Sequence, residues 1–223
     1  MDIEGVDVGT YVEQAMATVN KELDLPAGYS VTWSGQYEYM LRAKEKLTYV
    51  VPLTLAIIVI LLFLNFRRFA EVGIIMGTLP FAMIGAIWLM YLLGYNFSVA
   101  VGVGFIALAG VAVEIGVIML VYLNQSYEEM LQTCKEKGAT PRRETLRHAV
   151  LHGAGLRVRP IMMTAAAIIG GLVPIMVGTG TGSEVMGRIA APMVGGMISA
   201  VILALLVIPV GYYLWKCRSF SEA

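Results

Sequence analysis

A single carboxylate interrupts a long apolar run of this 223-residue sequence. Glu114 occurs in the segment GVAVEIGVIML, midway along the third of five predicted membrane spans. A charge at that depth costs about 2.5–3.5 kcal/mol on insertion scales, so it needs a partner or a task. Two interpretations remain open. Glu114 is either a structural side chain that is protonated or hydrogen-bonded between helices, or a carboxylate that gains and loses a proton during transport.

The second candidate is a thioether. The sequence holds 14 methionines, whose sulfur is a soft ligand suited to Cu(I) and Ag(I). Most of them are expected to fill gaps in apolar helices, as for Met76, Met83, Met90, Met119 and Met197. Met186 differs because it lies beside polar residues in GTGTGSEVMGR, predicted as an outer hairpin near the membrane surface. It is a candidate metal ligand, with packing as the alternative.

The elements that must position these side chains are membrane helices. The chain is 58% hydrophobic and only 14% charged, and its long apolar runs are separated by short charged clusters. A spanning helix needs about 20 mostly apolar residues. The five segments that qualify are about 47–66, 72–93, 98–123, 160–178 and 189–214. The sequence therefore predicts an all-α polytopic membrane protein with a transmembrane domain over residues 47–216.

Small residues are frequent on the third span, and they allow helix backbones to approach closely. They are Gly102, Gly104, Ala107, Ala109, Gly110, Ala112 and Gly116. This pattern predicts that Glu114 faces protein rather than lipid.

Residues 1–46 resemble part of a soluble domain. Helices are expected over Val8–Leu23 and Gln36–Lys46, and a strand over Tyr29–Trp33. A lone strand cannot fold stably, so we interpret this segment as a small α+β remnant of a larger domain. Residues 124–159 form the longest polar connection, predicted as an amphipathic loop with helices over Tyr127–Lys137 and Arg142–Leu151. The second helix, with Leu146 and Val150 on its apolar face, is expected to lie on the inner membrane surface.

The short loops fix the expected orientation. Most Lys and Arg residues fall in the 67–68 turn, the 124–159 loop and the tail, which places these on the cytoplasmic side. The N-terminal segment is then periplasmic and the 217–223 tail cytoplasmic.

The two cysteines, Cys134 and Cys217, are expected as free thiols. The net charge is zero, so the sequence lacks the excess of basic residues that is typical of nucleic-acid-binding proteins. The absence of HExxH, GxSxG and Walker A motifs argues against an enzyme.

Several motifs are similar to a known family. Two long stretches carry the similarity: AGVAVEIGVIMLVYLN (109–124) and GTGSEVMGRIAAPMVGGM (180–197). Two shorter stretches support it: LPAGYSVTWSGQYE (25–38) and LRVRPIMMT (156–164). Together they resemble the heavy-metal efflux branch of the resistance-nodulation-division (RND) transporters, copper/silver CusA type. The resemblance implies a C-terminal fragment with the end of the second periplasmic (porter) domain and the last five of twelve spans.

The resemblance also implies roles and partners. Glu114 matches a proton-relay carboxylate whose partner Asp lies in the other half, and Met186 matches one member of a methionine pair on the ion path. The implied protein is a homotrimeric pump in the bacterial inner membrane, surrounded by membrane lipid. It would have no resident cofactor and would export Cu(I) or Ag(I) on the proton gradient, with a membrane-fusion adaptor and an outer-membrane channel. One departure is Ile161, where comparable copper pumps have Lys.

Two alternatives to this function stay open. One is an RND pump for another metal or for organic compounds, against which Glu114 and the SEVM motif weigh. The other is a non-transporting membrane scaffold, in which the cost of an intramembrane Glu114 would have no explanation.

Overall fold

The fold is a bundle of long helices. A computed structural model describes residues 8–23, 26, 30–138, 142–178, 180 and 182–221. The helices are α1 (Val8–Glu22), α2 (Gln36–Phe66), α3 (Phe69–Leu93), α4 (Val99–Glu136), α5 (Arg143–Val177), α6 (Ser183–Ile202) and α7 (Ile208–Ser221). A π-helical turn, Leu203–Val207, joins α6 to α7 without a break. Within these described ranges, five helices, counting α6–α7 as one, are long and apolar enough to cross a membrane, which confirms the predicted fold class.

Local chemistry explains where the helices end. Helix α3 stops at Gly94, whose φ of 66° is the left-handed conformation that glycine adopts without strain. Ser98 caps the start of α4, where its hydroxyl oxygen accepts a bond from the amide of Val101 at 3.4 Å. Helix α6 begins after Gly182, again left-handed with φ 87°. These residues fix where α3 ends and where α4 and α6 begin.

Helix α6 occupies the centre of the bundle, where it contacts α3, α4 and α5. Glycines allow this close contact. A Cβ atom at Gly195 would lie 2.5 Å from the carbonyl oxygen of Gly85, which is too close for any larger residue without a shift. The hydroxyl of Ser199 donates across the same interface to the carbonyl oxygen of Ala82 at 2.7 Å. Small residues thus bring α3 and α6 together, as expected for membrane helices.

The bundle leaves much apolar surface uncovered. The apolar part of α2 is only 6% buried within the chain, whereas that of α6–α7 is 50% buried. In a membrane, lipid or further protein must cover the outer faces of α2 and α5.

The polar segment 124–159 contains the two predicted helices, but they are continuous with the spanning helices on either side. Its residues continue α4 to Glu136 and start α5 at Arg143, so both helices extend beyond their apolar spans. Leu146 and Val150 do form an apolar face, as predicted, but they are buried in one cluster with Met130 and Cys134 of α4 rather than lying along a membrane surface. The hydropathy pattern marks the membrane-crossing part of a helix, whereas helix–helix packing decides where the helix ends.

The predicted strand is absent from the part of Tyr29–Trp33 that the structure describes. Residues 30–34 have no regular secondary structure, and position 29 lies outside the described ranges. A strand needs hydrogen-bonding neighbours, and the described residues provide none. The predicted helices at 8–23 and 36–46 are both present, the second as the beginning of α2.

Candidate functional site

Glu114 lies on a face of α4 that no other part of the described chain covers. The exposed positions of this helix recur at helical spacing and include Val103, Ile106, Gly110, Glu114 and Val121. Among the described residues, the Glu114 carboxylate has no hydrogen-bond or ion-pair partner. A group that could neutralise the Glu114 carboxylate or form a hydrogen bond with it must therefore come from outside the described residues.

The depth of Glu114 follows from its place in α4. It is the sixteenth residue of the helix, which puts it about 22 Å from the first residue, Val99. The hydrocarbon core of a bilayer is about 30 Å thick. Apolar residues continue on both sides, so the carboxylate lies well inside the membrane. A charged carboxylate in contact with lipid would be energetically costly, because no lipid group at that depth replaces its water of hydration.

The small residues of α4 divide between two faces. Gly104 packs against Ile189 and Pro192 of α6, and Gly116 lies beside Ile75 of α3, so these two serve packing within the chain. Gly110 has open space where a Cβ would project and is on the same face as Glu114. At Gly110, the Glu114 face of α4 therefore has room for the close approach of a helix that the described residues do not contain.

Met186 lies in the first turn of α6 rather than in the predicted hairpin, because that helix begins at Ser183, six residues before the predicted span. Its side chain is 58% exposed. Beside it, Arg188 and Glu184 form an ion pair at 2.5 Å. The first turn of α6 thus holds the exposed thioether at one end of the helix, where a second soft ligand could approach from outside the described residues.

The structure does not bring the two predicted site residues together. Gly104 of α4 packs against Ile189 of α6, and the two helices run in the same direction. Met186 lies three residues before this contact and Glu114 ten residues beyond it, a separation of about 20 Å along the bundle. Any coupling between an ion at Met186 and a proton at Glu114 must therefore act through helix movement rather than direct contact.

Other methionines behave as packing residues. Met90, Met119 and Met197 are buried in the helical core, as predicted from their sequence context. Within the described part of the chain, no group of three His, Cys, Asp or Glu side chains is arranged to hold a metal ion.

Position 161, next to Pro160 in α5, is apolar and buried. Ile161 belongs to the main core cluster, together with Ala165 one turn further on. Arg159 is exposed, and the guanidinium of Arg157 stacks on the ring of Tyr122 at 3.6 Å. Arg159 thus faces outwards, whereas Arg157 packs against α4 and has a buried Nε without a hydrogen-bond partner among the described residues.

A buried polar network escaped the sequence analysis. The side-chain amide of Asn124 donates to the carboxylate of Glu71 at 2.9 Å, and the hydroxyl of Tyr212 donates to the amide oxygen of Asn124 at 2.6 Å. Glu71 is only 2% exposed, and Tyr212 is fully buried. The network ties together the start of α3, the middle of α4 and the start of α7.

A cation completes this end of the bundle. The ammonium of Lys216 lies 4.1 Å from the ring centroid of Tyr127 and 4.6 Å from that of Trp215, and the residue is 4% exposed. The spacing of Tyr212, Trp215 and Lys216 on one face of α7 is the signal that could have indicated an aromatic cage.

Together these features define a multi-pass α-helical membrane protein with an ionisable side chain halfway along a spanning helix. The chain belongs to the AcrB/AcrD/AcrF family, which it matches over residues 2–216. It is 50% identical to the putative cation efflux system protein SilA of Salmonella typhimurium over 223 residues, all of this chain and 21% of that protein. It is 48% identical to the cation efflux system protein CusA of Escherichia coli K12 over 219 residues, 98% of this chain and 21% of that protein.

The fold comparison agrees. A crystal structure of a heavy metal efflux pump superimposes with a TM-score of 0.76 and 35% sequence identity, covering 97% of this chain and 20% of the other. The resemblance to heavy-metal efflux RND proteins is thereby confirmed. The chain spans about a fifth of the length of the relatives it matches.

Proposed function

We propose that this chain forms the last five spans of a proton-driven pump in the bacterial inner membrane, which exports Cu(I) or Ag(I) from the cell or the periplasm through a tripartite envelope complex. The observation that carries the proposal is Glu114, an unpartnered carboxylate deep in a spanning helix, on a face that the rest of the described chain leaves open. An intramembrane carboxylate of this kind marks an ion or proton path far more often than a packing site.

In this mechanism Glu114 is the proton carrier. With a proton bound it is neutral and can lie against apolar or small residues at little cost. After release it carries a charge that requires a hydrogen-bonding or cationic partner. The two states therefore favour different packing of the α4 face against the helices that complete the pump. This difference in packing lets a proton gradient drive a conformational cycle.

Met186 is the proposed metal ligand of this chain. Its exposed thioether suits a soft monovalent ion, and its position in the first turn of α6 puts it at one end of the bundle. A second thioether from the remainder of the pump would complete a transient site. One or two soft ligands hold an ion weakly enough to pass it on.

The orientation and assembly follow from the same proposal. Residues 1–46 end a periplasmic domain, residues 47–216 cross the inner membrane, and the extension at 124–159 and the tail at 217–223 lie in the cytoplasm. The complete protein is a homotrimer that passes its ion to a periplasmic adaptor and an outer-membrane channel.

The test is metal-driven proton flux. The complete pump is placed in vesicles that contain a pH-sensitive dye, a proton gradient is imposed, and Cu(I), Ag(I), Zn²⁺ or an organic cation is added. Dissipation of the gradient that depends on Cu(I) or Ag(I) is the expected result. A response to Zn²⁺ or to the organic cation alone would favour the other pump classes, and no response to any of them would favour the scaffold.

A further inference from the structure

A groove at one end of the bundle combines arginines with an apolar wall. It has a volume of about 560 Å³ and is lined by Arg143 at the start of α5 and by Tyr213, Leu214, Cys217 and Arg218 near the end of α7. The groove is on the outside of the bundle, away from Glu114 and Met186.

The charges in the groove have no ion-pair partner among the described residues. Arg147 lies one turn along α5 from Arg143, and both arginines are close enough to Tyr213 to act on its hydroxyl electrostatically. Among the described residues, no carboxylate lies within ion-pair distance of Arg143, Arg147 or Arg218. The guanidinium groups of Arg143 and Arg218 thus line the groove, and that of Arg147 lies one helical turn away. Each can bind phosphate oxygens in a bidentate manner.

The apolar wall continues from the arginines towards the middle of the membrane. On α7, Val210, Leu214 and Arg218 share one face at four-residue spacing, and on α5 Arg147 is followed by Leu151 on the same face. Val210, Leu214 and Leu151 are each more than half exposed. Both helices therefore present cations at the bundle end and apolar side chains up to about 12 Å deeper.

We propose that this groove binds an anionic glycerophospholipid, with the phosphate on the arginines and an acyl chain along Leu214 and Val210. The polarity gradient of the groove matches that of a lipid in one leaflet. Basic pockets between membrane helices are known to accept such headgroups. Free phosphate would use the arginines but leave the apolar wall unoccupied. The proposal depends on the helices crossing a membrane and does not depend on metal transport.

The test uses the complete protein in phosphatidylcholine nanodiscs with a photoactivatable phosphatidylglycerol whose reactive group is on the acyl chain. Cross-linked residues are mapped by mass spectrometry. Unlabelled phosphatidylglycerol, phosphatidylcholine and inorganic phosphate serve as competitors. Cross-links are expected within residues 210–217, displaced by unlabelled phosphatidylglycerol but not by phosphatidylcholine or by millimolar phosphate.

Two variants separate lipid binding from general attraction to basic protein. The double variant Arg143→Gln, Arg218→Gln should weaken phosphatidylglycerol binding about 25-fold, since each basic residue near a membrane surface contributes roughly fivefold. The matched control Lys135→Gln, Lys137→Gln removes two exposed charges near the end of α4 and should change binding less than twofold. Leu214→Gln, at an exposed position, should lower lipid binding severalfold with both arginines in place.

Equal competition by phosphatidylcholine would overturn the proposal, as would unchanged cross-linking in the double arginine variant. Displacement by phosphate together with no effect of Leu214→Gln would reduce the groove to a simple anion site and would also overturn it. Because the readout is binding, loss of metal transport leaves every outcome interpretable.

Discussion

The contact between α3 and α6 should tolerate no side chain at Gly195. In Gly195→Ala the new Cβ would lie 2.5 Å from the carbonyl oxygen of Gly85 and 2.6 Å from Cβ of Leu89. An ordinary contact is 3.4 Å or more, so the helices must separate by close to an ångström. The backbone cannot rotate away, and the separation also weakens the bond from Ser199 to Ala82. Overpacking and the lost interhelical bond together cost about 2–3 kcal/mol.

The assay is reversible unfolding of the complete protein in mixed micelles, followed by circular dichroism. Gly211→Ala is the matched control, because it lies on the same continuous helix and its Cβ would meet nothing within 4 Å in the described chain. Gly196→Ala should fall between the two, since the nearest atoms to its Cβ belong to the side chain of Leu108 rather than to backbone. If Gly195→Ala unfolds at the same denaturant concentration as Gly211→Ala, the close approach of α3 and α6 is wrong.

Three further predictions concern other parts of the bundle. Tyr212→Phe should lower the free energy of unfolding by about 1 kcal/mol, because the oxygen of Asn124 loses its buried donor; no change would remove the network from the stabilising contacts. Met186→Leu should reduce the tolerance of cells to Cu(I) and Ag(I) at normal expression, whereas Met163→Leu, at another exposed position, should not. Equal tolerance of the two variants would indicate that Met186 is a packing residue. Cys217, partly exposed, should react with an impermeant maleimide only after the inner membrane is opened; labelling from the periplasmic side would reverse the topology.

The sequence predicted the number and type of the helices well, because hydropathy over about 20 residues is a strong signal. It did less well on where the helices end. Helix α4 continues past Leu123, and α5 starts before Pro160, since the polar extensions bury Leu146 and Met130 against each other. Such packing depends on the partner helix and leaves no mark in a hydropathy average.

The candidate site, like the fold, could be predicted from the sequence only in part. The position of Glu114 along a span could be predicted from its apolar neighbours, but not which face of α4 is uncovered, because small residues occur on both faces. The Glu71–Asn124–Tyr212 network could not be predicted, because its members are separated by 53 and 88 residues. Each one alone looks like an ordinary polar residue near the end of a span.

Proton flux through Glu114→Gln tests the central claim most directly. The substitution keeps the shape of the side chain but cannot change charge, so the complete pump should insert and assemble normally. In the vesicle assay, Cu(I) or Ag(I) should then dissipate the proton gradient no faster than in protein-free vesicles. Glu136→Gln, an exposed carboxylate at the end of the same helix, should behave as the unmodified pump. Unmodified metal-driven proton flux in Glu114→Gln would contradict the account and leave Glu114 as a structural residue.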